Sequence, residues 1–238
     1  MPVERTDPGP IALVGSGEFL PQMVEVDRWL LHGRPQRAAF LPTAAGQEGD
    51  ASVRRWLALG TEHYRAMGVE PVGVPVRERT DADDVELAAL VVGAGLVYLS
   101  GGNPGHLADT LRGTAVWHAI VAAWQAGAAL AGCSAGAMAL TASAPDVRGG
   151  RMAPKPGLGL IAHLAVLPHF DRMAEWDPTA KERVIATHPG VTVLGIDEDT
   201  ALVGGPTEWT VMGRGRVSVF ASGGTAVHTA GAAVSLPR

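Results

Sequence analysis

The chain contains a single cysteine, Cys133, among 238 residues, which excludes an intrachain disulfide and is typical of a protein from a reducing compartment. Aromatic residues make up only 5%, so Ala, Val, Leu and Gly must fill the core that a 47% hydrophobic content can form. Long apolar runs are missing as well. The longest, residues 120–133, is interrupted by Gln125 and Gly127 and is too short to span a bilayer.

Positive charge is also scarce, because lysine occurs only at positions 155 and 181 and the formal net charge is −5. Nucleic acids and anionic membranes both attract basic patches, so neither is expected as a partner. The first ten residues are polar and proline-rich and lack the apolar core of a signal peptide, which predicts a cytoplasmic location. No Cys/His cluster has zinc-site spacing, and we expect neither a metal nor an organic cofactor.

Over the first 140 residues, short apolar runs that end in glycine, serine or proline alternate with helical patterns. This alternation predicts an α/β fold: a doubly wound, mostly parallel sheet with helices on both faces, which binds ligands at the carboxyl ends of its strands. The predicted strands are 11–14, 38–41, 71–76, 95–99 and 128–131, and the predicted helices are 21–32, 50–67, 81–90, 104–112, 114–125 and 135–140.

The pattern changes after residue 140. Residues 144–156 predict an exposed loop, and strands are predicted at 165–167 and 191–196. Asp177-Pro178 is a suitable N-cap and first-turn pair for a helix through Thr187. From Thr200 onward, short β runs predict antiparallel C-terminal β-hairpins at one edge of the sheet. No repeat or linker interrupts the chain, so residues 1–238 are expected to form a single domain.

The most informative segment is Gly132-Cys133-Ser134-Ala135-Gly136, which fits the Gly-x-Ser-x-Gly pattern of a nucleophile elbow. A sharp strand-to-helix turn needs small residues on both sides of its apex, because the backbone there is crowded. The turn exposes the apex side chain at a helix N-terminus, where backbone N–H groups can stabilise an oxyanion. The predicted strand before the motif and helix after it make Ser134 the candidate nucleophile.

A serine hydroxyl requires a base, and the base requires an orienting acceptor. Among eight histidines, His169 is the best candidate because it follows a predicted strand. Glu198 also follows a strand and is the candidate acceptor, with Asp146, Asp197 and Asp199 left open as competitors. Two glycine-rich turns end other strands: Gly101-Gly102-Asn103 can present N–H groups, whereas Gly15-Ser16-Gly17 is too incomplete for a nucleotide-binding loop.

Together these residues resemble the serine peptidase family of aspartyl dipeptidase (peptidase E) and cyanophycinase. That family is built like class I glutamine amidotransferases, with serine in place of their elbow cysteine. The resemblance covers most of the chain and rests on motifs in family order: Gly101-Gly102-Asn103, Ser134-Ala135-Gly136-Ala137, Pro168-His169-Phe170, Gly195-Ile196-Asp197-Glu198 and Gly204-Gly205-Pro206. Residues 144–156 fit neither subgroup clearly, and Leu167-Pro168 differs from the acidic-polar pair of cyanophycinases.

The resemblance implies that Ser134 is the nucleophile, His169 its base and Glu198 the acceptor that orients the base. The N–H groups of Gly102 and Ala135 would form the oxyanion hole, and Asn103 would contact the substrate. A substrate carboxylate would need a cation, for which Arg148, Arg151 and Arg172 are the candidates nearest in sequence to the catalytic motifs.

We therefore expect a serine peptidase that cleaves a small peptide, with an N-terminal acidic residue, through an acyl-enzyme. The alternatives are cyanophycinase-like hydrolysis of β-aspartyl-arginine bonds and a non-catalytic binding protein on the same scaffold. The sequence leaves the physiological substrate open, and it leaves the oligomeric state open between monomer and homodimer.

Overall fold

The computed structural model describes residues 7–147, 153–177, 179–221 and 224–236 of the chain. The helices in these ranges are α1 Val24–Leu31, α2 Asp50–Ala66, α3 Arg79–Ala82, α4 Val85–Ala89, α5 Pro104–Leu111, α6 Ala115–Gln125, α7 Ala135–Leu140, α8 Phe170–Trp176 and α9 Ala180–Thr187. The strands are β1 Ile11–Val14, β2 Arg37–Leu41, β3 Glu70–Gly73, β4 Leu96–Leu99, β5 Ala129–Cys133, β6 Leu164–Leu167, β7 Thr192–Ile196, β8 Thr200–Gly204, β9 Glu208–Gly213, β10 Arg216–Ala221, β11 Gly224–Thr229 and β12 Ala233–Ser235.

The main sheet has eight strands in the order β12-β9-β8-β1-β5-β4-β2-β3. The five strands from β1 to β3 in that order run parallel, whereas β8, β9 and β12 add an antiparallel edge. The predicted α/β fold with a mostly parallel sheet is confirmed, as is the β8–β9 hairpin at one edge. Helices cover both faces, because apolar side chains alternate toward two separate core clusters.

A second sheet of four strands, in the order β11-β10-β7-β6, lies beside the main one. Its strands β6 and β7 are parallel, and β10 and β11 form an antiparallel hairpin. The inner face of this sheet shares one apolar cluster with the main sheet, through Val166, Leu194 and Val219. Its outer face packs against α8 and α9 through a smaller cluster that includes Leu167 and Val184.

Several local predictions differ from the structure. The strand predicted over 71–76 ends at Gly73, and the helix predicted over 81–90 is divided into α3 and α4 because the Asp84 side chain caps α4. The helix expected after Asp177-Pro178 begins at Ala180, so Thr179 and not Asp177 is its N-cap residue. The Asp177 carboxylate accepts hydrogen bonds from the Thr179 hydroxyl and the Arg183 guanidinium. Pro178 lies outside the described residues. Helix α8, which directly follows His169, was not predicted. No helix in the described ranges is long and apolar enough to cross a membrane.

Candidate active site

Ser134 lies at the apex of a sharp turn between β5 and α7. Its backbone has φ 49° and ψ −105°, a conformation that L-residues rarely adopt, and its N–H donates to the Val14 carbonyl at 2.8 Å. A Cβ on Gly132 would overlap the backbone of Gly136, and a Cβ on Gly136 would overlap the Leu99 carbonyl. The two glycines of the motif are therefore required by close backbone packing, which holds the serine at the surface of the elbow.

His169 and Glu198 come from the second sheet. The parallel pairing of β6 and β7 places Leu167 beside Gly195, so the residues that follow these two strands lie together at one edge. His169 has a left-handed backbone (φ 49°, ψ 40°) at the N-terminus of α8. Glu198 lies in the turn 197–199, where the chain passes from β7 in the second sheet to β8 in the main sheet.

The three side chains form a hydrogen-bonded chain. The distance from His169 Nε2 to Ser134 Oγ is 3.1 Å, and that from His169 Nδ1 to Glu198 Oε1 is 2.8 Å. An ionised carboxylate can only accept, so Nδ1 carries a proton and the neutral ring presents its Nε2 lone pair to the serine hydroxyl. The His169 and Glu198 side chains are 26% and 39% exposed, which leaves the site open to a substrate.

The competing carboxylates contact other groups. Asp146 accepts from the Asn103 side chain at 2.9 Å, Asp197 accepts from the Arg216 backbone at 2.9 Å, and Asp199 accepts from Gln22 at 3.0 Å. Glu198 is thus the carboxylate that the structure places on His169. Across the described ranges, no group of three or more His, Cys, Asp or Glu side chains is arranged to hold a metal ion.

The predicted oxyanion donors are the N–H groups of Gly102, in the turn after β4, and of Ala135, which directly follows the nucleophile. Gly102 has φ 137°, and a Cβ there would lie 2.6 Å from the Ala44 carbonyl carbon, so only glycine fits this turn. Ala135 is the first residue of α7. In the described part of the chain, neither backbone N–H donates a hydrogen bond to another protein group. Both donors are therefore available to a ligand at Ser134.

The Asn103 side chain is hydrogen-bonded within the protein through both its oxygen and its amide. Its carbonyl oxygen accepts from the N–H groups of Gly105 and His106 and caps α5, and its amide donates to Gln47 and Asp146. Since the oxygen and the amide of its side chain are both engaged within the protein, a contact with substrate stays a prediction.

Of the three predicted cations, Arg172 lies within the described residues. Arg172 is exposed on α8 and pairs with Glu175 at 3.1 Å, so its role in substrate binding stays a prediction. Arg148 and Arg151 lie outside the described residues.

Cys133 adjoins the nucleophile, but its thiol is engaged with another group. Its side chain is fully buried, and this burial, reinforced by the neighbouring Glu18 carboxylate, raises the pKa of its thiol well above the usual value. The thiol donates to Glu18 Oε2 at 2.7 Å. A protonated, inaccessible thiol is a poor nucleophile.

The sequence predictions did not include two residues that contact this site. Asp171 accepts the backbone N–H of Glu198 at 2.8 Å and so fixes the turn that carries Glu198. Glu18 accepts the N–H of Gly101 at 2.7 Å. Glu18 directly follows Gly15-Ser16-Gly17, so its place after a strand that ends at the site was a signal that could have identified it.

Comparison with protein families finds one that spans most of the chain. The model of peptidase family S51 matches residues 11–209. A cyanophycinase from Trichormus variabilis is 30% identical over 209 residues, which cover 79% of this chain and 69% of that protein. A cyanophycinase from Synechococcus elongatus is 30% identical over 189 residues, which cover 74% of this chain and 56% of that protein.

Two solved structures share the fold. The crystal structure of a peptidase from an acI-B1 Actinobacterium has a TM-score of 0.87 and 37% identity, with 96% of this chain and 97% of that chain covered. A putative peptidase E protein from Listeria monocytogenes has a TM-score of 0.64 at 17% identity, with 87% and 98% covered, and supports the fold alone.

Proposed function

The chain belongs to peptidase family S51 and is a serine-type peptidase, and from that premise we propose that Ser134 is its nucleophile, His169 its general base and Glu198 the residue that orients the base. The observation that carries this assignment is the continuous hydrogen-bonded chain from Ser134 through His169 to Glu198. Glu198 holds the Nδ1–H tautomer, so that the Nε2 lone pair faces the hydroxyl.

The proposed reaction begins when His169 Nε2 takes the proton of Ser134 Oγ as this oxygen attacks the substrate carbonyl carbon. The carbonyl oxygen becomes an oxyanion, which accepts hydrogen bonds from the N–H groups of Gly102 and Ala135. Glu198 stabilises the imidazolium. His169 then donates the proton to the leaving amine, the C–N bond breaks and an acyl-enzyme forms. Water, deprotonated by His169, hydrolyses the ester and releases Ser134.

The substrate proposed first is a small peptide with an N-terminal acidic residue. Hydrolysis of a β-aspartyl-arginine bond is the second candidate, and it is favoured by the cyanophycinases among the relatives. A hydrolysis screen of α-Asp-X, β-Asp-Arg and neutral dipeptides separates the two. Preferential cleavage of the neutral peptides would contradict both.

The test of the nucleophile compares two adjacent residues. Ser134→Ala is expected to lose nearly all turnover while remaining folded, whereas Cys133→Ala keeps most activity because its thiol is buried and protonated. A fluorophosphonate probe should label the wild type and Cys133→Ala but not Ser134→Ala. Activity that survives in Ser134→Ala and vanishes in Cys133→Ala would overturn the assignment, and absence of labelling in the wild type would favour a binding protein.

A cytoplasmic location is part of the proposal. Its support is the lone cysteine, which stays a free thiol in the structure. Fractionation of cells of the source organism, followed by detection of the chain, tests it. Recovery of the chain outside the cytoplasm would contradict it.

A further inference from the structure

Glu18 joins the ends of two neighbouring strands beside the nucleophile. It lies half-buried in the loop that follows β1. One carboxylate oxygen accepts the N–H of Gly101, just after β4, and the other accepts the thiol of Cys133, the last residue of β5, both at 2.7 Å. The carboxylate therefore links the glycine turn after β4 to the strand that carries Ser134.

The contact with the glycine turn requires an acceptor. The Gly101 N–H can only donate, and Glu18 Oε1 accepts it, whereas the Cys133 thiol, on the other oxygen, can donate or accept. Among the described residues, no Lys, Arg or His side chain pairs with Glu18. Glu18 is therefore not placed here as the ion-pair partner of a basic side chain.

The turn that Glu18 holds also has an anchor on its other side. The N–H of Asn103 donates to the Ala44 carbonyl at 2.9 Å, and Gly102 lies against the backbone of Ala44 and Ala45. The peptide N–H of Gly102 lies between these two anchors. The turn borders the nucleophile, since a Cβ on Gly101 would lie 3.5 Å from the Ser134 Cβ and 3.0 Å from Glu18 Oε1.

We propose that Glu18 is a positioning residue for the oxyanion hole. It holds the Gly101 N–H, and so fixes the peptide before the one that carries the Gly102 N–H. The Gly102 N–H thereby points to the carbonyl oxygen of the bound substrate. The inference rests on the proposed function of Ser134 and Gly102. Without the carboxylate, the Gly101 peptide can rotate, and a donor that is misdirected by a fraction of an ångström no longer stabilises the oxyanion.

The main test compares Glu18→Ala with Glu25→Ala, an exposed carboxylate on α1 that pairs with Arg28. Glu18→Ala removes the acceptor of the Gly101 N–H and is expected to lower kcat by about tenfold to a hundredfold with KM within about threefold, because oxyanion donors act on the transition state. Glu25→Ala should match the wild type. Fluorophosphonate labelling of Ser134 should slow in parallel with kcat, since the phosphonyl oxygen occupies the same hole, and this readout requires no identified substrate.

Glu18→Asp provides a second variant in case Glu18→Ala fails to fold. It keeps the charge but is one methylene shorter, so its oxygen falls short of the Gly101 N–H, and the same loss of kcat is expected. Cys133→Ala leaves the Gly101 bond in place and should not share this loss. Wild-type kcat and labelling in a folded Glu18 variant would overturn the inference while Ser134→Ala remains inactive. Activity retained in Ser134→Ala would instead overturn the proposed function itself.

Discussion

At the scale of single residues, the site depends on backbone conformations that L-residues rarely adopt. Ser134 and His169 both have φ 49°, and Asp199, next to Glu198, has φ 52°. Each such residue costs on the order of 1–3 kcal/mol, which the surrounding packing must offset. The hydrogen bonds between nucleophile, base and acceptor are therefore assembled at the expense of the free energy of unfolding.

The strain at the elbow predicts that Ser134→Gly is more stable than Ser134→Ala by about 1–2 kcal/mol, because glycine adopts this backbone without a Cβ clash. Urea unfolding of the two inactive variants measures the difference. At Ser52, in the first turns of α2, the order should reverse, since glycine is about 1 kcal/mol worse than alanine within a helix. If the alanine variant is more stable than the glycine variant at both positions, the backbone of the elbow is not strained.

Glu198→Gln is expected to leave the fold intact and to lower kcat by about 10⁴-fold, because a neutral amide neither stabilises the imidazolium nor fixes its tautomer. Glu182→Gln, at an exposed carboxylate on α9, is the control and should retain full activity. Steady-state kinetics on both variants measures the effect. If Asp146→Asn is crippling while Glu198→Gln is near wild type, Glu198 is not the acceptor.

At the scale of elements, the base is positioned by contact between α8 and β7. A Cβ on Gly195 in β7 would lie 2.5 Å from the ring of Phe170, the residue after His169. Gly195→Ala is therefore expected to displace Phe170 and His169 and to lower kcat about tenfold or more, since small displacements of catalytic groups are costly. Adding Phe170→Leu should restore part of the activity. Wild-type kcat in Gly195→Ala alone would contradict the proposed coupling between β7 and His169.

Helices α1 and α2 are joined by a buried pair, in which His63 Nε2 lies 2.6 Å from Asp27 Oδ2 and both side chains are at most 5% exposed. Burial raises the pKa of Asp27 above its usual 3.8, although the hydrogen bond to His63 opposes the change. The folded state thus binds the proton more tightly than the unfolded state, and the contribution of Asp27 to stability falls as pH rises above about 3.8.

The free energy of unfolding of the wild type, relative to that of Asp27→Asn, is accordingly expected to decrease as the pH increases above about 3.8. Urea titrations at several pH values measure it. Asp83→Asn, at an exposed carboxylate, should show no such trend relative to the wild type. A relative stability that rises with pH would mean that the pair with His63 outweighs burial.

The elements also show what the sequence could and could not predict. Apolar runs closed by glycine identified the central strands and the elbow, because these signals are local. The same signals identified β6 and β7 as buried strands but could not assign them to a second sheet, since strand pairing is decided by distant contacts. Helix α8 is too short for a clear period, and Glu18 has no local signal beyond its place after β1.

At the scale of the whole molecule, the nucleophile and the base lie on different sheets that share one apolar core. A shared core predicts cooperative unfolding of both sheets, so the urea midpoint for loss of activity should coincide with that for loss of far-UV circular dichroism. Coincidence would also support the prediction of one domain over residues 1–238. Loss of activity at a clearly lower midpoint would mean that the second sheet opens separately.

The crossing from β7 to β8 has a consequence for the time at which the enzyme becomes active during translation. Ser134 leaves the ribosome before His169 and Glu198. Strand β1 can pair with β5 early, but the other edge of β1 stays unpaired until β8 has been synthesised. A nascent chain that ends before Glu198 carries the nucleophile but not the complete site. Since Glu198 is the last of the three to be synthesised, we expect hydrolysis only after β7 and the turn 197–199 have emerged.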